Sequence, residues 1–301
     1  MRTPTSMDTL TRALGDAVGC EKGASNATLE ACLRAANFST VLAAQEKVNT
    51  DIFTDLDKLL DIFFPWMPIV DSSANPLPGS IPEQPLVAFA EGTLQNDVPI
   101  VIGTMLQEGE SFVYAAFDGP LGETATELVE IAIFGLDNAA RIAEKYPIVN
   151  KTDSRPLAAQ LATYALFQCA TRHAVLGPTE HKRFIYHFNH LSTFSEKIWG
   201  PDNICDDHVC HGDDLPYVFY PNASQWNITM TPGEVTLAQT VQTFWSNFAK
   251  HQDPGSNGEF QWHPFDVTEQ SVIFDTPSKP VTNYLLDTCT WWDDEIGYDY
   301  S

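Results

Sequence analysis

Apolar positions recur at helical spacing near the start of the chain, where Met7, Leu10, Leu14 and Val18 fall on one face of residues 6 to 19. The same period predicts short helices over Thr28–Ala35 and Ser39–Lys47, the latter with Ser39 as its N-cap. From Phe64 to Pro85 prolines dominate, and proline blocks both helix continuation and ladder donation, so this segment reads as an extended loop. A β-branched run, Val98 to Gly103, then predicts a buried strand, and Lys182 to Leu191, rich in aromatics, a second. Helices are expected over Glu123–Gly135, Asp137–Tyr146 and from Asp153 to about His173, the last with Pro156 in its first turn. Thr236–Lys250 presents Val241, Phe244, Trp245 and Phe248 on one face, Ser271–Phe274 is a brief strand, and Asn283–Asp294 a last helix.

With no repeat and no clean linker, the 301 residues read as one domain of mixed α/β class. Two convincing strands cannot make an independent parallel sheet, because such sheets need covered faces and edge neighbours. The chain is therefore expected to be part of a larger fold.

Composition narrows the setting. Sixteen basic residues stand against 40 acidic ones, a formal net charge of −24. That field opposes nucleic acid and anionic lipid and favours neutral or cationic ligands. Six cysteines (Cys20, Cys32, Cys169, Cys205, Cys210, Cys289) accompany sequons at Asn26, Asn37, Asn150, Asn222 and Asn227. An even cysteine set beside several glycosylation acceptors points to an oxidising, secretory compartment. The N-terminus carries no apolar signal-peptide region, and no apolar run reaches membrane-spanning length. A secretory body without an address is a further reason to expect a fragment.

Candidate chemistry concentrates in two places. Glu108 lies just past the end of the first strand and precedes Gly109, a position where α/β proteins put working groups. The second is Cys205 to Phe219, C-D-D-H-V-C-H-G-D-D-L-P-Y-V-F, which holds Cys205, His208, Cys210 and His211 within seven residues. It admits three readings: a metal knuckle (with His187 and His190 as further ligands), a disulfide-pinned loop, or a polar turn. Zinc ligands come as spaced pairs separated by a longer segment, so this spacing leaves little chain to wrap a tetrahedron, and no metal is assigned. A Cys205–Cys210 bond would instead rigidify the loop presenting His211, a candidate general base that Glu108 could orient. A Cys20–Cys32 bond would close a loop of about 12 residues, with an entropic contribution of roughly 3 kcal/mol.

The segments V-P-I-V-I-G-T-M-L-Q-E-G-E-S-F, V-C-H-G-D-D-L-P-Y-V-F and F-W-S-N-F-A-K-H-Q-D-P-G resemble the C-terminal half of type-B carboxylesterases and cholinesterases. G-C at 19–20, A-C-L-R at 31–34, P-I-V-D at 68–71 and C-T-W-W-D at 289–293 extend the likeness over nearly the whole chain. The resemblance implies an α/β-hydrolase fold, of which residues 1–301 would be a partial domain, its last sheet strands and surrounding helices. It implies Glu108 and His211 as acid and histidine of a catalytic triad, with bonds Cys20–Cys32 and Cys169–Cys289. It also implies a small-molecule carboxylic ester as substrate, no cofactor, and pocket residues Ser111, Phe112 and Asp213 along the loop Gly109–Phe117 and beyond. Where cholinesterases carry an aromatic three residues after the acid, this chain has Ser111, so a general ester is expected rather than a choline ester.

The family's G-E-S-A-G nucleophile elbow and H-G-G-G oxyanion loop have no counterpart in this sequence. The chain is therefore expected to lack ester turnover alone and to correspond to a secreted protein whose N-terminal half lies elsewhere. Two alternatives remain: a catalytically inactive cholinesterase-like adhesion or binding protein, and a non-functional truncated product.

Overall fold

The computed structural model describes residues 4–52, 66, 68–71, 80–220 and 227–298. About half of the proline-rich segment Phe64–Pro85, and the sequon at Asn222, lie outside the described residues. The chain divides into two compact units, residues 1–87 with 127–139 and 301, and residues 88–126 with 140–300.

In the smaller unit, α1 (Pro4–Val18), α2 (Asn26–Ala35) and α3 (Phe38–Ile52) occupy the predicted stretches. Leu10, Leu29, Ala44 and Val48 are buried, one apolar stripe from each helix, and Cys20 is bonded to Cys32. The expected cap of α3 shifts by two residues. Ser39 lies inside the helix, and its backbone N–H is taken by the Asn37 side chain at 2.9 Å. Asn37 thus does the capping, as a side-chain carbonyl at that position can.

Helix α4 (Pro85–Glu91) continues across the division, and the larger unit goes on with β1 (Ile100–Met105) and α5 (Gly109–Ala116). The first strand starts two residues later than expected; Val98 is 50% exposed and precedes it. Residues Gly109–Phe117, expected as loop, instead form α5 almost throughout. Next come α6 (Glu123–Phe134) and α7 (Leu136–Lys145), both of which continue across the division between units. The long helix expected from Asp153 is broken into α8 (Arg155–Ala162), a π-helical turn (Thr163–Gln168) and α9 (Cys169–Leu176). β2 (Arg183–Phe188), α10 (Ser195–Trp199), a 3-10 turn (Ile204–Asp206) and α11 (Leu215–Val218) follow. The unit ends with α12 (Pro232–His251), β3 (Gln270–Phe274), β4 (Lys279–Thr282), α13 (Leu286–Trp291) and a second π turn (Trp292–Ile296).

Four strands pair in the order β1-β2-β3-β4 among the described residues. Gly103 sits opposite Tyr186 in the parallel pair β1–β2, β2 and β3 are also parallel, and β4 is antiparallel to β3. The expectation of only two convincing strands is corrected: β4, K-P-V-T, is too short and too polar to show an apolar pattern.

Helix α12 covers the sheet. Its N-terminus is fixed by a capping box, Thr231 and Glu234 each closing on the other's backbone N–H. Leu237, Val241 and Phe244 are buried against Phe184, Phe188, Val272, Phe274 and Trp262, with Trp245 and Phe248 packed around them. This aromatic core holds β1 and β2 in place, and the candidate chemistry sits at their C-terminal ends. The 120-residue span between Cys169 and Cys289 is closed by a disulfide joining α9 to α13.

Candidate active site

The site is built where β1 runs out. Leu106 N–H donates to Phe188 O at 3.0 Å, so strand pairing persists one residue past Met105. The chain then turns into α5, placing Glu108 at its start and 3% exposed. Gln168, on the π turn, supports this bend by donating to the carbonyl of Met105 at 3.1 Å. Extra residues in a helical turn re-aim side chains, which is the common use of such π segments.

Glu108 uses both carboxylate oxygens. Oε1 accepts the backbone N–H of Met105 at 2.7 Å, and Oε2 lies 2.6 Å from Nδ1 of His211. Since the partner of Nδ1 is an acceptor, Nδ1 carries the proton, and the opposite nitrogen, Nε2, is left on a ring that is 54% exposed. The hydrogen bond His211 donates to Glu108 raises the His211 pKa above its ordinary value; burial opposes this, and the charges of Glu108 and Asp214 add to it.

The loop that carries His211 is held at several points. Cys205 is bonded to Cys210, the disulfide-pinned reading of this stretch. Cys210 N–H donates to Asp213 Oδ2 at 2.7 Å while Asp213 N–H donates back to Cys210 O at 3.1 Å, closing a tight turn around His211. Gly212 occupies φ +90° in that turn, a conformation that costs an L side chain energy but suits glycine. Trp199 Nε1 holds Asp213 Oδ1 at 2.8 Å.

Asp213 was expected in the substrate pocket. Instead it is 2% exposed with both oxygens occupied, so it braces the histidine loop rather than lining a cavity. Burial pushes its carboxyl up to about 6, against the two N–H donors that favour the charged form. Asp214 beside it accepts from Tyr186 Oη at 2.9 Å and is also raised by burial.

Phe112 and Ser111 separate. The Phe112 ring lies 5.1 Å from the His211 imidazole and 5.6 Å from Phe167, which itself packs 5.6 Å from His211. Ser111 opens instead onto a groove with Tyr114, Ala115, Arg155 and Trp199. Of the remaining histidines once weighed as ligands, His187 is buried on β2 against Tyr284 at 4.4 Å, and burial alone pushes its pKa down to about 3. His190 faces Asp275 at 3.1 Å.

Three contributors carried no sequence signal. Gln107 bonds to the histidine loop, Phe167 flanks the imidazole, and Trp199 holds Asp213. All three act across long sequence separations, which spacing within one segment cannot reveal.

The model of the carboxylesterase family matches residues 2–292. Among curated proteins, the chain is 32% identical over 252 residues to the "cAMP-regulated D2 protein" of Dictyostelium discoideum, covering 80% of this chain and 43% of that one. It is 30% identical over 259 residues to the "Crystal protein" of the same organism, covering 85% and 43%. A shorter stretch of 93 residues is 33% identical to "Pyrethroid hydrolase Ces2a" of Mus musculus, covering 31% of this chain and 16% of that one. The chain thus spans less than half the length of these relatives. A PNB esterase superposes with a TM-score of 0.68 at 21% identity, over 96% of this chain and 55% of the esterase. A thermophilic PNB esterase does so with 0.69 at 19% identity, over 96% and 54%. At such identities the superpositions speak to fold alone, and that fold is α/β-hydrolase. With its family model matched from residue 2 to residue 292, the chain belongs to the carboxylesterase family.

Proposed function

We propose that this chain supplies the acid and the histidine of a serine carboxylic ester hydrolase. The observation that carries the reading is the 2.6 Å contact between Glu108 Oε2 and His211 Nδ1, made by a buried carboxylate and a half-exposed imidazole. A third-party hydroxyl reaching Nε2 would lose its proton to His211 as it attacks an ester carbonyl. The imidazolium so formed is stabilised by Glu108, and it returns the proton to the leaving alkoxide, freeing the alcohol. Water then repeats the cycle on the acyl group, releasing the acid. Phe112 and Phe167 provide an apolar wall beside the imidazole, suited to the carbon skeleton of a neutral ester.

The hydroxyl nucleophile and the oxyanion donors come from outside this sequence, which has no G-x-S-x-G. The chain alone is therefore inactive. The Glu108–His211 pair supports the hydrolase reading over a binding protein that has dispensed with turnover, because it sets a half-exposed imidazole on a buried carboxylate as an acid–histidine couple requires. Three disulfides, and exposed sequons at Asn26, Asn37, Asn150 and Asn227, support a secretory setting with glycosylation.

A fluorophosphonate probe tests the reading in two arms. The chain alone should stay unlabelled. Mixed with a polypeptide that carries a family nucleophile elbow, it should promote labelling of that serine, and His211→Gln should abolish the promotion. Labelling of a serine in the chain alone, or promotion that survives His211→Gln, would refute it.

A further inference from the structure

Two residues past Glu108, a second buried carboxylate on α5 takes no part in this arrangement. Glu110 is 7% exposed, and its Oε2 is enclosed without a hydrogen-bond partner. A buried carboxylate oxygen lacking any donor is costly, so proteins keep one only where something compensates it.

Glu110 lines a cavity of about 820 Å³ whose walls include Tyr146, Leu157, Tyr164 and His208, and which does not include Glu108 or His211. The volume lies in the range of small-molecule sites, whose usual form is a mostly apolar cleft with a few placed polar groups. The cavity is thus not the ester site, although α5 contributes to both.

The ligand's chemistry follows from the groups present. The unpartnered oxygen asks for a hydrogen-bond donor. Burial holds the Glu110 carboxyl above its ordinary pKa, with His208 acting to lower it and Asp207 to raise it. His208 does not complete the pair: its Nδ1 is committed to Ile204 O at 2.8 Å and to Asp207 Oδ1 at 2.7 Å. Asp153, also on the cavity wall, is already neutralised by Arg155 at 2.7 Å, and the wall's one lysine, Lys145, sits over the Trp291 ring at 5.8 Å and leaves Glu110 Oε2 without a donor. Two tyrosine rings flank the space, and aromatic faces attract a cation as well as an apolar body. A chain of net charge −24 steers cations toward it.

We propose that this cavity is a binding site for a protonated amine with an apolar body, its N–H donating to Glu110 Oε2 and its carbon skeleton packed between Tyr146, Leu157 and Tyr164. The amine nitrogen must carry a hydrogen, since a fully substituted ammonium would leave the oxygen without a donor. The site stands independently of ester hydrolysis.

The test is calorimetric titration of the full chain with 2-phenylethylamine near neutral pH, and with 2-phenylethanol as its uncharged counterpart. Saturable binding of the amine is expected, with Glu110→Gln weakening it about tenfold, the scale of one charge-assisted hydrogen bond. The alcohol, whose O–H can donate but carries no charge, should bind more weakly than the amine and lose less affinity on Glu110→Gln. Leu157→Trp, which narrows the apolar part of the cavity, should weaken binding of both, and thermal melts of the two variants establish that they are folded. Unchanged amine affinity in folded Glu110→Gln, equal affinity for amine and alcohol, or no saturable amine binding at millimolar concentration would each overturn the proposal.

Discussion

Gln107 and Val209 are tied to each other twice: the Gln107 backbone N–H donates to Val209 O at 3.0 Å, and Val209 N–H donates to the Gln107 side-chain Oε1 at 2.9 Å. One residue of the pair immediately precedes Glu108 and the other lies two residues before His211. The latch therefore sets the distance between the acid and the imidazole. Gln107→Ala would leave the Val209 N–H buried without an acceptor, a loss of about 1–3 kcal/mol. The His211 pKa should fall toward its ordinary value as the Glu108 contact loosens. NMR titration of the His211 ring reads that shift, and Gln107→Glu, which keeps an acceptor, should largely restore it. An unchanged His211 titration in a folded Gln107→Ala chain would disconnect the latch from the site.

The Glu108–His211 contact also has a signature in stability. The folded-state pKa of His211 is raised, first by its hydrogen bond to Glu108. Below the unfolded value near 6.5 the imidazole is charged in both states, and the full contribution of the contact is present. As pH rises through the folded pKa, that contribution is lost. Glu108→Gln should therefore destabilise the chain most in mildly acidic solution and less at alkaline pH, read by urea unfolding at several pH values. Solvent at the half-exposed ring keeps the difference modest. A gap between wild type and variant that widens with pH would contradict the assigned direction.

Much of this site was legible from residue order alone, because Glu108 follows a β-branched run and His211 precedes a glycine, and both patterns are local. The three disulfides were equally accessible, two from resemblance and Cys205–Cys210 from spacing. Asp213 is placed in the pocket by resemblance, and nothing in the polar string two residues past His211 marks it as buried, whereas in the fold Trp199 and the Cys210 N–H supply it with donors. Likewise α5 passed for a loop: the pair Gly109 and Glu110 interrupts the apolar run, and only packing against α8 makes it helical. Strand β4 gains its order from pairing with β3, which a tetrapeptide pattern cannot express.

That packing of α5 depends on Gly109. A Cβ built there would stand 2.1 Å from the carbonyl oxygen of Ala159, a backbone atom that cannot rotate away. The Gly109 N–H donates to Thr163 Oγ1 at 2.9 Å, which fixes the close approach of the two helices. Helix propensity favours alanine over glycine by roughly 0.8–1 kcal/mol. Overpacking costs about 1–3 kcal/mol, and a rigid backbone neighbour places this site toward the upper end. Gly109→Ala should thus destabilise the chain, and should lower the His211 pKa as Glu108 is pushed aside. A variant of equal or greater stability in thermal unfolding would show that α5 can move freely.

A second titrating group, on α6, gives a pH dependence that can be separated from that of His211. Glu130 is 4% exposed, its Oε1 has no partner, and burial with the nearby Glu127 charge raises its pKa from 4.5 to about 7. A raised acid binds its proton more tightly folded than unfolded. Below pH 4.5 it is neutral in both states and costs nothing; between there and about 7 the unfolded chain ionises first, and stability falls as pH rises. A gap of this size corresponds to about 2–3 kcal/mol across the window. His211 loses its contribution in the same direction, so wild type alone cannot apportion the decline. Glu130→Gln keeps the size and removes the charge, whatever the fixed cost of burying its amide. The variant should lose less stability than wild type between pH 5 and pH 8 by about that amount, measured by urea unfolding. Parallel pH profiles for the two would show that Glu130 ionises as readily in the folded chain as in the unfolded one.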